Sequence, residues 1–436
     1  MGSASPLRSP CGRIRFRAKD RARRVIDRAL DMDPAVLSRI YTQFDAARIM
    51  EAALALDTDA ARRTAPLAGL LVSVKDLFDE AGQVTSAGSA ILRAAPAASS
   101  DAAAVARLRA AGAVPCGRTT MSEFAYSGVG LNPHTGHPGN GRDASRISGG
   151  SSSGGALSVA LGLADVALGS DTGGSVRIPA AFNGLAGFKP TQSAVPLDGA
   201  FPLSQTYDSI GPLAPRIATC AAVHAVLSGT SAPAASERPL RLAVLQGPLM
   251  QGLDAQVSAD FDAALAALIA AGHSVGEASL PELEGFGDAN RIIVATEAHK
   301  IHAHHLDGLQ TQGDPRVLRR IMAAESFGPD DMAEMLVRRA RAVAAFTALA
   351  AEVDAFVVPT VPIVAPTIAE VEADFDRLNA LVLRNPSAVN FLDGCAATLP
   401  MQGGKRLTTG LMIFAPGGRD WQVLDIARRI EALLQP

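Results

Sequence analysis

Residues 149–155 read Gly-Gly-Ser-Ser-Ser-Gly-Gly and residues 171–175 read Asp-Thr-Gly-Gly-Ser, and these two loops decide how the chain is organised. Glycine allows positive φ angles and lets a ligand or a second strand approach the backbone closely. Serines among glycines therefore lie on tight turns rich in N–H donors, which bind anions or hold a nucleophile beside an oxyanion site. The connecting segment 156–169 is apolar except for Asp165. Two such loops at this separation predict a functional site.

Three general interpretations compete for the first loop. A phosphate loop needs Lys and then Ser or Thr where Gly155 and Ala156 stand. A G-x-S-x-G nucleophile elbow centred on Ser152 must follow a buried strand, but residues 139–146 are polar and broken by glycine. A flexible linker would not lead into an apolar segment that ends in a second Gly-Gly-Ser turn. The pattern therefore favours an ordered site.

Strand and helix patterns alternate along the chain. Short strands are predicted at 72–74, 84–85, 113–117 and 241–245, and the first of these leads directly into Lys75. Such alternation predicts an α/β fold in which helices cover both faces of a sheet. No internal repeat is visible, and no boundary is sharp enough to divide the chain.

Helix signals lie between these strands. Apolar residues at helical spacing over 35–56 follow a start signal at Asp33-Pro34. Ser100 and Asp101 are expected to cap a helix that continues through Arg109 and ends at Gly112.

Composition excludes several classes of protein. The 436 residues carry 40 basic and 43 acidic side chains, a net charge of −3, which predicts neither a nucleic-acid partner nor an anionic membrane surface. No apolar run reaches the ~18 residues of a membrane span, and residues 1–10 lack the apolar segment of a signal peptide. Four scattered cysteines, Cys11, Cys116, Cys220 and Cys395, indicate buried free thiols in a reducing compartment. We therefore expect a cytoplasmic protein.

Two further clusters have a more ordinary interpretation. The basic run 8–24 could bind RNA or act as a targeting arm, but a solvated N-terminal helix or tail over 1–30 is favoured because acidic residues soon interrupt it. His299, His302, His304 and His305 could hold a metal, yet no H-E-x-x-H order or third carboxylate ligand is present. An exposed helix is favoured here, as is a solvated face for the arginine-rich segment 313–341.

Several stretches together resemble the amidase signature family of serine amide hydrolases. The glycine–serine stretch 149–182 carries the main resemblance, and the lysine strand 66–76 supports it. Further landmarks are found at 107–113, 121–124, 209–213 and 358–362. The resemblance covers residues 67–434 and is weakest between 240 and 350. Residues 117–120 depart from it, because they read Gly-Arg-Thr-Thr where the family more often has Gly-Lys-Thr-Asn.

The resemblance implies a three-layer α/β/α fold around a mixed, twisted sheet. It also implies one domain over 1–436, with its catalytic core at 67–220. In the family pattern Ser175 is the nucleophile, Ser151 follows a cis peptide bond and relays protons, and Lys75 is the base. The backbone N–H groups of Thr172, Gly173, Gly174 and Ser175 make the oxyanion hole, as this pattern implies.

The charged residues near these loops have alternative roles. A basic Lys75 must be neutral, which requires burial to lower its pKa; without the serine loops it would be interpreted as a surface lysine on an edge strand. Asp171 and Arg177 are expected to brace the second loop rather than to react.

The predicted activity is hydrolysis of the carbon–nitrogen bond of a small-molecule amide, or of a carbamate as a close variant. The proposed chemistry needs no metal or cofactor. The competing enzymatic interpretation is the catalytic component of a transamidating complex, which uses the same three residues. A binding module without activity is disfavoured because Lys75, Ser151 and Ser175 are all present. The sequence leaves open whether the protein forms a homodimer. These motifs do not identify the substrate.

Overall fold

A single sheet of eleven strands forms the centre of the protein in this computed structural model, which describes residues 17–234, 236–401 and 406–434. The strands are β1 (Tyr41–Gln43), β2 (Leu71–Lys75), β3 (Val114–Thr119), β4 (Val166–Ser170), β5 (Ala186–Lys189), β6 (Ile210–Ala214), β7 (Arg241–Gln246), β8 (Ser274–Ser279), β9 (Ala355–Pro359), β10 (Gly394–Pro400) and β11 (Gly410–Pro416). Their order in the sheet is β1-β3-β2-β4-β6-β5-β10-β11-β9-β7-β8.

The sheet is mixed. Strand β2 is parallel to both β3 and β4, and β7 is parallel to β8 and β9. The central strands β4, β6, β5, β10, β11 and β9 pair antiparallel to one another. This confirms the mixed sheet that the family resemblance implied.

Alternate residues of the strands pack into different hydrophobic clusters. Val72 and Val74 of β2 belong to the largest cluster, whereas Leu71 belongs to another. On β11, Ile413 faces the largest cluster and Phe414 a separate one. Successive side chains of a strand point to opposite faces, so apolar residues at every position require cover on both sides. The three-layer α/β/α prediction is therefore confirmed.

The covering layers are helical. Within the described residues the helices are α1 (Ala18–Leu30), α2 (Pro34–Ile40), α3 (Ala46–Thr58), α4 (Ala103–Ala110), α5 (Ser153–Ala160), α6 (Arg177–Asn183), α7 (Ile217–Ser228), α8 (Ala255–Ala270), α9 (Phe286–His302), α10 (Leu306–Gln312), α11 (Pro315–Met322), α12 (Pro329–Leu349), α13 (Ile368–Ala373), α14 (Phe375–Phe391) and α15 (Asp420–Leu434). None of them is long and apolar enough to cross a membrane.

The two glycine–serine loops lie at the same edge of the sheet because one helix and one strand join them. The last three residues of the first stretch, 153–155, form the start of α5, and β4 then returns the chain to the start of the second loop. Strand β2 runs parallel to β4, with Val74 opposite Leu168. The carboxyl end of β2, which carries Lys75, therefore adjoins the carboxyl end of β4. Ligand sites in open α/β sheets lie at such ends.

Three local predictions were wrong. The helical pattern over 35–56 is divided by β1 into α2 and α3, because Tyr41–Gln43 pairs with β3. Residues 84–85 form no strand. Helix α4 is not capped by Ser100 or Asp101, because the Asp101 carboxylate accepts the Ala81 N–H and pairs with Arg109. In the first and third cases a contact distant in sequence overrides a local signal.

The N-terminal helix was predicted in part. Residues 18–30 are helical, but α1 is not a freely solvated segment, since Ala22, Val25 and Ile26 pack into the same cluster as α3. Arg21 on its polar face pairs with Asp165 at 2.7 Å. The remainder of the basic run, 8–16, lies outside the described residues. The helix start at Asp33-Pro34 is confirmed. Strands are also found where they were predicted, at 72–74, 113–117 and 241–245, with ends that differ by up to two residues.

Candidate active site

Lys75, the last residue of β2, is the centre of the site. Its ammonium nitrogen lies 2.7 Å from Ser151 Oγ and 2.8 Å from Ser170 Oγ, and the residue is 1% exposed. Burial lowers the pKa of Lys75 to about 7, although the carboxylates of Asp171 and Asp208 act in the opposite direction. The alternative of a surface lysine is therefore wrong, and a substantial fraction of Lys75 is neutral near pH 7.

A second buried lysine shows what is particular about Lys75. Lys189 is equally buried, and burial lowers its pKa to about 8. Its nitrogen donates to the carbonyl oxygens of Pro190 and Gly394, which accept hydrogen bonds and have no proton to give. Lys75 instead contacts hydroxyl groups, which can exchange protons with it.

The first loop is held against a neighbouring segment by backbone contacts. The Gly150–Ser151 peptide bond is cis, as the family resemblance implied. Ser122 N–H donates to the Ser151 carbonyl oxygen at 3.2 Å, and Gly150 N–H donates to the Gly128 oxygen at 2.8 Å. A Cβ at Gly150 would lie 2.6 Å from the Gly130 nitrogen, so only glycine fits here.

The second loop is braced by a buried ion pair. Asp171 binds Arg177 through two hydrogen bonds, at 2.8 and 3.0 Å, and both side chains are fully buried. Burial raises the pKa of Asp171, but Arg177 and further donors more than offset it and hold that pKa at about 2. Asn390 of α14 contacts both partners, so it ties the loop to the C-terminal half of the chain. This geometry agrees with the bracing role expected for Asp171 and Arg177.

The predicted oxyanion donors are not equivalent. Gly174 N–H donates to Asp171 Oδ1 at 2.7 Å and is therefore already engaged, contrary to the prediction that it is an open donor. Within the described residues, no internal acceptor is found for the N–H groups of Thr172, Gly173 and Ser175. Three of the four predicted donors thus have no hydrogen-bond acceptor within the described residues, and their role as an oxyanion hole stays a prediction.

Ser175 is 3% exposed, and a backbone hydrogen bond connects it to the first loop. Its carbonyl oxygen accepts a hydrogen bond from Ser152 N–H at 3.3 Å. The structure therefore brings Lys75, Ser151 and the loop of Ser175 to one place, although they are distant in sequence.

The competing elbow interpretation of Ser152 is wrong. No strand leads directly into Ser152, which lies just before α5. A Cβ built at Gly169 would lie 2.8 Å from Ser152 Oγ, so this hydroxyl faces β4.

The histidine cluster differs from the predicted exposed helix. His302 is fully buried and packs on Phe124 with ring centroids 4.2 Å apart, while His305 is partly buried. Burial lowers the pKa of His302 to about 4. Across residues 17–234, 236–401 and 406–434, no group of three or more His, Cys, Asp or Glu side chains is placed to hold a metal ion.

Two other sequence features are placed as follows. Arg118, where the family more often has lysine, is buried and pairs with Asp76 and Glu80 at 2.9 and 3.2 Å. Because Asp76 follows Lys75 directly, this ion pair ties the end of the lysine strand to the neighbouring strand β3.

Three of the four cysteines, Cys116, Cys220 and Cys395, are free and buried as expected, and Cys11 lies outside the described residues.

Three components of the site were not predicted from the sequence. Ser170 is the second hydroxyl on Lys75 and immediately precedes the Asp-Thr-Gly-Gly-Ser loop. Asp208 accepts a 2.5 Å hydrogen bond from the Thr172 hydroxyl, and burial raises its pKa to about 6. The segment 122–130 wraps around Ser151, and no local sequence pattern predicts that it contacts the first loop. For Ser170, its place at the end of a strand beside the lysine strand was a usable signal.

The fold and the site together define a three-layer α/β/α protein with a buried lysine–serine centre beside a glycine-rich turn. Comparison with known proteins gives its family. The family model for amidases matches residues 21–424, and the chain belongs to the amidase family.

Individual relatives agree with this assignment. A 2-amino-5-chloromuconic acid deaminase from Comamonas testosteroni is 34% identical over 413 residues, 90% of this chain and 88% of the deaminase. A component of the glutamyl-tRNA(Gln) amidotransferase from Symbiobacterium thermophilum is 32% identical over 93% of this chain and 91% of its own. A solved crystal structure of an amidase superposes with a TM-score of 0.87, 31% identity and 96% coverage of both chains. The protein is an enzyme that hydrolyses the carbon–nitrogen bond of an amide.

Proposed function

We propose that this amidase works through an acyl-enzyme on Ser175, with Ser151 and Lys75 as the proton relay. The observation that carries the proposal is the 2.7 Å contact between Lys75 and Ser151 at a lysine whose pKa lies near 7. An amide is a poor electrophile with a poor leaving group, so it requires an activated nucleophile, an oxyanion site and an acid for the amine.

In the first half-reaction, neutral Lys75 takes the Ser151 proton while Ser151 takes that of Ser175. Ser175 Oγ then attacks the carbonyl carbon. The developing oxyanion is met by the N–H groups of Thr172, Gly173 and Ser175, for which the described residues offer no internal acceptor. When the carbon–nitrogen bond breaks, the proton held on Lys75 returns through Ser151 to the departing amine.

In the second half-reaction, a water molecule gives a proton to the same relay and attacks the acyl carbon. Ser175 leaves as an alkoxide and recovers its proton from Ser151. The products are a carboxylic acid and an amine or ammonia, and the protein groups end as they began. A carbamate whose carbon–nitrogen bond is cleaved by the same steps would give an amine and a carbonic acid monoester.

The test is covalent labelling with peptide mapping. We expect a fluorophosphonate to modify Ser175, Ser175→Ala to abolish both labelling and turnover, and Ser152→Ala to retain labelling. An adduct on Ser152, or undiminished amide hydrolysis by Ser175→Ala, would refute the proposal.

The similarity to a component of an amidotransferase supports a second candidate, release of ammonia to a partner's substrate. Both candidates use the same three residues, so activity of the isolated chain separates them. We expect hydrolysis of simple aryl amides without ATP or a partner. Dependence of glutamine hydrolysis on an added partner protein would favour the second candidate. A panel of matched amides, carbamates and esters then ranks the substrates.

A further inference from the structure

Asp208 is a buried carboxylate beside the turn 171–175. Its Oδ1 accepts the Thr172 hydroxyl at 2.5 Å, and its Oδ2 accepts the N–H groups of Leu203 and Ser204 at 2.8 and 3.1 Å. Within the part of the chain that the structure describes, no Lys, Arg or His side chain lies within ion-pair distance of Asp208. A buried charge without a counter-ion destabilises a fold, and functional sites are where such groups are retained.

The other acid of this turn does have a counter-ion. Asp171 pairs with the buried Arg177 at 2.8 Å, and Asn390 ties this pair to α14. Burial raises the pKa of Asp208 to about 6, so this second carboxylate is still mostly ionised at pH 7. The turn is therefore anchored without Asp208, and the presence of a second buried charge needs a separate explanation.

The peptide unit between Asp171 and Thr172 shows what Asp208 holds in place. The Asp171 carbonyl oxygen accepts hydrogen bonds from Ser209 Oγ at 2.8 Å and from Ser209 N–H at 3.2 Å. Because the C=O and N–H groups of a planar trans peptide point in opposite directions, the Thr172 N–H points away from Ser209. Asp208 fixes the side chain of the same threonine. Together, Asp208 and Ser209 set the direction of an N–H group for which the described residues offer no acceptor.

The turn 203–208, which carries Asp208, is itself held in place. The Asp208 N–H donates to the Ser204 carbonyl oxygen at 2.9 Å, which closes the turn. Glu297 of α9 accepts hydrogen bonds from the hydroxyl groups of Ser204 and Thr206 and so anchors the turn from outside. A donor whose direction is fixed before the reaction stabilises a developing charge without any reorganisation.

We propose that Asp208 is a positioning residue of the oxyanion site. Through the Thr172 hydroxyl, it holds the Thr172 N–H toward the oxygen that becomes negative when Ser175 attacks the carbonyl carbon. This inference rests on the proposed function, which places that attack at Ser175. In this role Asp208 contacts no reacting atom and exchanges no proton. Because an oxyanion donor stabilises the transition state more than the bound substrate, its misalignment should lower kcat and leave KM nearly unchanged.

The kinetic test first removes the contact from the threonine side. Thr172→Val keeps the shape of the side chain and loses the hydroxyl. For a simple aryl amide its kcat should fall about 10- to 100-fold, less than the ~10²- to 10³-fold loss that follows removal of a whole oxyanion donor. Thr172→Ser keeps the hydroxyl and should stay within about threefold of the unmutated enzyme.

Thr409→Val is the matched control. The Thr409 hydroxyl also donates to a buried carboxylate, that of Asp260, at 2.7 Å, but this pair belongs to neither glycine–serine loop. The control should change kcat less than about twofold, because it removes the same kind of contact away from the reacting groups.

A second variant tests the carboxylate. Asp208→Asn should lower kcat about as much as Thr172→Val does. The double variant should lose little beyond the larger single loss, because both substitutions break the same contact. Losses that multiply would mean that the two residues act independently and would contradict the proposal. If Asp208→Asn does not fold, the comparison of Thr172→Val with Thr172→Ser decides alone.

The pH profile gives a readout that a purely structural contact would not move. The charged groups that interact with Asp208 are Glu297 of α9 and Lys75 of β2, while Asp171 in the adjoining turn has its own partner. The Asp208 carboxylate favours the charged form of Lys75 and opposes the effect of burial on that lysine. Asp208→Asn should therefore move the acid limb of kcat/KM to lower pH, and Thr172→Ser should leave it in place.

Labelling of Ser175 separates failure of this inference from failure of the proposed function. We expect a fluorophosphonate to label Ser175 and kcat to fall in Thr172→Val but not in Thr172→Ser. If Ser175 is labelled but Thr172→Val loses no more than Thr409→Val, or loses mainly through KM, Asp208 is not a positioning residue and the Ser175 chemistry stands. An adduct on another residue would reject the proposed function and this inference with it.

Discussion

At the scale of single residues, Lys75 decides the pH dependence of the proposed reaction. Burial lowers its pKa to about 7, and only the neutral amine can accept the Ser151 proton. We therefore expect kcat/KM to rise with pH up to about 7 and then level, with about a tenfold loss per pH unit well below it. The measurement is kcat/KM for a neutral amide from pH 5 to 9. A flat profile would contradict the assignment of Lys75 as base.

The lowered pKa of Lys75 also predicts how the free energy of unfolding depends on pH. Between pH 7 and 10.5 the unfolded chain holds a proton on Lys75 that the folded protein has released, so the free energy of unfolding should rise with pH across this window. The contribution is at most about 1.4 kcal/mol per pH unit. Denaturant unfolding at several pH values should show this slope in the unmutated enzyme and a smaller one in Lys75→Met. Identical slopes would show that Lys75 stays charged in the folded protein.

A further residue-scale prediction concerns the leaving group. Attack by Ser175 needs a base for amides and esters alike, but an amine must also be protonated to leave. Lys75→Ala should therefore damage hydrolysis of an anilide more than that of the matched phenyl ester, by ~10²-fold or more. Values of kcat/KM for the two substrates check this. The activity of the variant should also recover as the pH rises, because hydroxide then replaces the missing base. Equal losses would assign Lys75 to positioning the loops.

At the scale of elements, the turn at residues 171–175 depends on a side-chain brace. Arg177 is fully buried, so Asp171→Asn leaves an uncompensated charge in the interior. We expect a loss of about 3–5 kcal/mol in the free energy of unfolding. Asp376→Asn breaks an exposed arginine pair and is the control, with an expected change below about 1 kcal/mol. Urea unfolding measures the free energy of unfolding of both variants. Similarly small losses in the two would mean that the turn at 171–175 does not depend on the Asp171–Arg177 pair.

At the scale of the whole molecule, one hydrophobic cluster joins the lysine strand to the C-terminal helix. Val72 and Val74 of the lysine strand share a cluster with Val423, Leu424 and Ile426 of α15. A single domain remains our prediction, and it requires cooperative unfolding. The only tryptophan, Trp421, lies in α15 and reports on the C-terminal end, while fluorophosphonate labelling of Ser175 reports on the site. Coincident urea midpoints are expected, and two separate midpoints would divide the chain.

Local chemistry along the chain was enough to predict the α/β class, the strand that ends in Lys75 and the position of both serine loops. Glycines mark backbone that must bend or be approached closely, and apolar runs mark strands that are covered on both faces. The family resemblance at 171–175 implied which backbone donors to consider, although it could not show that Asp171 already accepts the Gly174 N–H.

Which distant groups surround those loops depends on the tertiary structure alone. Ser170 reaches Lys75 because β2 and β4 pair in parallel. Asp208 reaches Thr172 because β6 pairs antiparallel with β4, which places the residues preceding β6 beside those following β4. Asn390 reaches the Asp171–Arg177 pair through α14, from the C-terminal half of the chain. Sheet register and helix docking bring these residues together, and neither is written in the local spacing of side chains.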